Sequence, residues 1–68
     1  MKIKYFADTD TLYIELRSFA AADTVDIDEN TLAEVDANGN LCALTLEHAR
    51  SRADLGAVSF EGLAAGNA

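Results

Sequence analysis

Apolar and polar side chains alternate along most of the first two-thirds of this chain, with the two-residue period of a half-buried strand. The clearest run is residues 11–17, where Leu12, Ile14 and Leu16 point one way and Tyr13, Glu15 and Arg17 the other. Residues 2–6 form a strand before it, with Ile3 inward and Lys2 and Lys4 on the opposite side. Ala7-Asp8-Thr9-Asp10 between them is a turn, rich in residues that bond their own backbone. A connector over residues 18–22 follows, in which Phe19 folds over a core edge. Residues 24–28 alternate again, Val25 and Ile27 apolar and Asp26 solvated; Glu29-Asn30 then turns the chain into residues 32–36.

The stretch TLAEVDANGNLCALTLEHA, residues 31–49, reads as an antiparallel hairpin around Asp-Ala-Asn-Gly-Asn. Gly39 and its Asn neighbours tolerate positive φ, and Leu44 and Leu46 alternate with Thr45 and Glu47 in the second arm. Short connections between successive strands predict a mainly β fold, a single antiparallel meander of about five strands. Beyond Ala49, Ser51 is placed to cap a helical turn over residues 52–55 that Gly56 ends. Residues 57–63 read as an irregular or extended tail, with a sixth strand or a loose helical stripe as alternatives. One small β-rich domain over residues 1–63 is expected, with a frayed tail over residues 64–68.

Length changes the picture next. A chain of 68 residues buries only about 60% of its unfolded surface, and one cysteine permits no internal disulfide. Self-association is the simplest source of extra burial, so a homodimer is expected over a monomer. Nothing at the start resembles a signal peptide, and no apolar run approaches the roughly 18 residues of a membrane span. The expected setting is the cytoplasm, away from membranes. Charge narrows the partners. Twelve acidic against five basic residues give −7, and only Lys2 with Lys4, and Arg50 with Arg52, sit close enough to meet phosphates. Nucleic-acid binding by the chain alone is not expected; an acidic surface suits solubility or docking to a basic partner.

Lys2-Ile3-Lys4-Tyr5 and Asp10-Thr11-Leu12-Tyr13-Ile14-Glu15-Leu16 resemble the opening of the small bacterial domains of unknown function called DUF2283. That family's pattern is M-K-I-x-Y-D-x-x-x-D-x-L-Y-I. Val35-Asp36-Ala37-Asn38-Gly39-Asn40-Leu41, then Leu44-Thr45-Leu46 and Ala49, resembles its later D-x-x-G-x-h-x-G-I-E-I-h-x-A stretch. Ala43 stands where the family usually has Gly, Phe6 where it has Asp, and His48 at a commonly acidic position. The resemblance covers about residues 1–50 and brings no catalytic residue with it. It implies an antitoxin or partner-binding role, because some members stand beside small toxin-like genes.

Candidate chemistry is thin. His48 is the one histidine, beside Glu47 and near Arg50 and Arg52; without a nucleophile and an orienting group it reads as a solvated strand-end residue. Cys42 lies on the Leu44 and Leu46 side of its strand and reads as a small buried hydrophobe. Asp36, Asn38, Asn40 and Glu47 occupy positions 1, 3, 5 and 12 of a calcium loop, but its glycine position holds Leu41. A strand from Leu41 carries Glu47 roughly 20 Å from the turn, too far to close a cage. Asp8 and Asp10 read as turn formers. The expectation is a non-enzymatic acidic interaction module, without cofactor or metal, that binds a basic protein in an antitoxin-like manner. The alternative is a self-assembling homodimeric domain with no foreign partner. If a foreign partner binds, contact should centre on Asp23, Asp26, Asp28 and Glu29, where acidic charge is densest, with Phe19 as an aromatic anchor.

Overall fold

The computed structural model describes residues 1–62. Five antiparallel strands form one open sheet: β1 (Lys2–Phe6), β2 (Thr11–Glu15), β3 (Asp23–Asp28), β4 (Thr31–Val35) and β5 (Leu41–Glu47). One short helix follows, α1 (Ala49–Arg52). The mainly β class and the strand count are those expected from the alternation. The expected frayed tail over residues 64–68 lies outside the described residues.

The meander order needs correction. The strands lie in the order β1-β2-β5-β4-β3, so β5 is inserted between β2 and β4. β5 is the longest strand, and its Cys42 and Ala43 are fully buried, as a central strand demands. The chain leaves β2 through residues 16–22, passes the β4–β5 turn and joins the far edge as β3. Amide bonds mark that path: Leu16 to the Cys42 carbonyl at 2.8 Å and Ala22 to the Val35 carbonyl at 3.0 Å. The last four strands therefore form a Greek key rather than a run of hairpins.

Side chains directly opposite one another in paired strands share a face of the sheet. One row across all five strands reads Ile3, Ile14, Leu44, Ala33, Val25; the next reads Tyr5, Leu12, Leu46, Thr31, Asp28. The other face carries Lys4, Tyr13, Thr45, Leu32, Asp26 and, beside them, Lys2, Glu15, Ala43, Glu34, Thr24. Alternation thus sorts the sheet into an apolar and a polar face, as the sequence predicts, except at the β3 edge, where Asp23 and Asp28 share the apolar side. The apolar face is only partly covered, however. Leu12 is buried; Ile14, Leu16, Val35, Leu44 and Leu46 are half-buried; Val25 and Ile27 are exposed. Among the described residues no second layer is stacked on the strands, and Ile27 sits at a bulge between Asp26 and Asp28.

The helix also differs from expectation. It starts at Ala49, straight from β5, because His48 adopts a left-handed φ of 56° and redirects the chain. Ser51 lies inside it, its hydroxyl donating to the His48 carbonyl at 3.0 Å. Residues 57–62 form neither strand nor helix, and Val58 and Phe60 stand in solvent.

Candidate functional site

The acidic candidates Asp23, Asp26 and Asp28 lie on β3, an edge strand exposed at every position, and Glu29 follows in the β3–β4 turn. They do not form one surface. Asp23 pairs with Val35 and Asp26 with Leu32, which places them on opposite faces of the strand. Asp28 is occupied structurally: its Oδ1 accepts the Asn30 amide at 2.8 Å and closes the turn. That amide, the Thr31 hydroxyl and the nearby Arg52 charge hold its carboxyl below the usual range against partial desolvation. Asp23 accepts the amide of Thr24 at 2.9 Å. Among the described residues, Asp26 and Glu29 have no side-chain bond and are the free charges of the group.

Phe19 is not on this strand. It sits half-buried in the 16–22 connector, in a groove with Arg17, Ser18, Ala20 and the β4–β5 turn. It therefore neighbours the Asp23 end of β3, while Asp28 lies roughly 16 Å farther along it. An anchor at Phe19 and a charge at Glu29 are reached together only by an extended ligand.

The β4–β5 turn is built on Asp36. Its Oδ1 accepts the amides of Asn38 at 2.9 Å and Asn40 at 3.0 Å, and its Oδ2 accepts Asn40 Nδ2 at 3.2 Å and Arg17 Nη2 at 3.1 Å. These donors, the Asn40 amide first, keep the Asp36 carboxyl below the ordinary range. The carboxylate that opened the calcium-loop register is thus spent on the turn, whose Gly39 takes φ 81°. Among the described residues no three His, Cys, Asp or Glu side chains gather as a metal would require.

Sequence reasoning missed a joint at the opposite end of the sheet. Asp10 Oδ1 accepts the Tyr5 hydroxyl at 2.7 Å and the Arg50 amide at 3.1 Å, while the Asp10 carbonyl accepts the Ala49 amide at 3.0 Å. Asp10 therefore serves as the N-terminal cap of α1 from 40 residues away. The Tyr5 hydroxyl is the main cause that holds the Asp10 carboxyl low, and the same bond raises the Tyr5 hydroxyl. Arg52 adds a second tie, donating to the carbonyls of Asn30 at 2.7 Å and Glu47 at 3.0 Å and to Thr31 Oγ1 at 2.6 Å. The clue lay in the quoted motif itself, where Tyr5, Asp10 and Ala49 all occupy pattern positions. His48 is exposed, and the neighbouring Ser51 hydroxyl is turned to its backbone carbonyl rather than its ring, so the two are not a nucleophile and base.

Cys42 is fully buried, as a small hydrophobe should be, with its thiol directed to the Asn40 carbonyl at 3.3 Å. No helix among the described residues is long and apolar enough to cross a membrane.

No curated protein and no solved structure matches this chain. The model of one family does, over residues 2–50, a span that takes in all five strands, the Asp10 joint and the Asp36 turn. The chain belongs to that family, described as a protein of unknown function (DUF2283).

Proposed function

We propose that this chain is a cytoplasmic, non-enzymatic protein-interaction module that receives a basic partner protein on its acidic edge, in the manner of an antitoxin. The observation that carries this reading is β3, an open edge strand exposed along its whole length and bearing three aspartates, with Glu29 beyond. An edge offers unpaired backbone groups, to which an extended segment adds as a further strand. Aspartates and the bulge at Ile27 oppose pairing with a second, equally acidic β3. A lysine- or arginine-rich strand reverses that repulsion, so the same charges that block self-pairing select the partner.

The test uses an extended Lys- and Arg-bearing peptide and backbone amide shifts read by NMR. Shifts should concentrate on β3 and fade with added salt, and Asp26→Lys with Glu29→Lys should weaken binding about tenfold or more. Shifts spread evenly over the chain, or binding indifferent to the double reversal, would reduce the acidic edge to a solubility device. A second reading, a self-assembling homodimer without a foreign partner, is favoured by the uncovered apolar face.

A further inference from the structure

A sheet with one apolar face needs a second layer, and the described part of this chain does not supply one. At one end the face is crossed by Arg52, bonded to Thr31, and at the other Cys42 is fully buried. Between them runs a strip, Ile3-Ile14-Leu44-Ala33-Val25, one residue from each strand, exposed at Ile3 and Val25, half-buried at Ile14 and Leu44 and recessed at the small Ala33. It spans roughly 19 Å at the usual strand spacing and carries no charge in a molecule of net charge −7. Of the charged strand residues, Lys2, Lys4, Glu15, Glu34 and Asp26 lie on the other face, while Asp23 and Asp28 flank Val25 on this one, at the β3 edge.

We infer that the missing layer is a second copy of this chain, stacked face to face about a two-fold axis that runs parallel to β5. This goes beyond the acidic-edge reading and does not depend on it, since β3 keeps its outer edge open. β5 is the middle strand of five, so rotation about such an axis sets β2 over β4 of the second copy and β1 over its β3. Shape then matches along the strip. Ile14 lies over Ala33 of the second copy, a large side chain over a small one, and Ile3 over Val25, with Leu44 meeting its own counterpart on the axis. Charge matches as well. The β1 edge carries Lys2 and Lys4, whose side chains are long enough to reach round it, and the β3 edge opposite presents Asp23 and Asp28 on the apolar face. The other face-to-face two-fold, perpendicular to the strands, would set Ile14 on Ile14, Ala33 on Ala33 and the aspartate edges on each other. Both the bulk of the strip and the charge of the edges that flank it therefore select the parallel axis.

The strip is small beside the usual specific interface, so the dimer should be concentration-dependent. Sedimentation of the full chain should pass from monomer to dimer as concentration rises to the order of 100 µM. Ile3→Cys and Val25→Cys are placed at half-exposed positions that tolerate change, and the wild type, whose Cys42 is buried, is the control. Stacked sheets lie about 10 Å apart, so a bis-maleimide of similar reach should join the two variants only when they are mixed. A chain that stays monomeric overturns the second-copy layer. Linking of Ile3→Cys to itself, or a dimer in which the mixed pair never links, overturns the axis.

Discussion

Asp10 joins three parts of the chain through two oxygen positions. Its carboxylate takes the Tyr5 hydroxyl from β1 and the Arg50 amide from α1, and its carbonyl takes the Ala49 amide. The residue itself adopts φ 54°, a left-handed conformation that Asp and Asn tolerate better than other side chains with a Cβ. Asp10→Asn thus removes the charge without adding backbone strain. That variant and Tyr5→Phe should each lower the melting temperature, and together they should lower it less than the sum, because one weakens and the other removes the same bond. The pH dependence follows from the sign of the shift. A carboxyl held low in the folded state contributes stability that is present above its unfolded value near pH 4 and is lost as pH falls through the folded value. The deficit of Asp10→Asn against the wild type should therefore narrow in acid. A deficit that stays constant from neutral pH into strong acid would show that the carboxylate charge contributes nothing.

Each hairpin depends on one short turn, and the β4–β5 turn isolates a single cause. Gly39 stands at φ 81°, yet a Cβ there would meet no atom within 4 Å. Gly39→Ala should cost about 1 kcal/mol through backbone conformation alone, and Gly39→Asn less. Urea titration measures both; equal stability of all three chains would mean that the turn is free to change type. This turn, the strands and the two faces were legible in the sequence, because a two-residue period assigns each side chain to a side. Strand order was not, because alternation says which face Leu44 occupies and nothing about which strand lies beside it. The only hint was the length of the 16–22 connector, too long for a tight hairpin. The helix began earlier than its local signals suggested because its cap is Asp10, remote in sequence, rather than Ser51. The candidate site was legible in part. Asp23, Asp26 and Asp28 do share an edge strand, but Asp28 serves its turn and Phe19 belongs to a groove beside the other end of β3.

For the whole molecule, repulsion among acidic groups is weighed against very few ion pairs. The described residues form two: Arg17 with Asp36 at 3.1 Å, and Arg50 with Asp10 at 3.9 Å, in both of which the arginine is more than half exposed. Such pairs contribute little to begin with, and salt screens what they contribute. A net charge of −7 on 68 residues repels itself through the same solvent, and salt screens that too. The second effect involves far more charges than the first, so the melting temperature should rise from low salt to roughly 0.15 M. Acid acts in two stages for the same reason. As pH falls toward 5, the charge diminishes and repulsion relaxes; below about 4, protonation of Asp10, Asp28 and Asp36 removes bonds that their carboxylates accept. Stability should therefore peak between roughly pH 4.5 and 6 instead of at neutrality. Thermal melts across pH and salt check both trends, and a melting temperature that falls with added salt would mean that the two arginine pairs outweigh the acidic field.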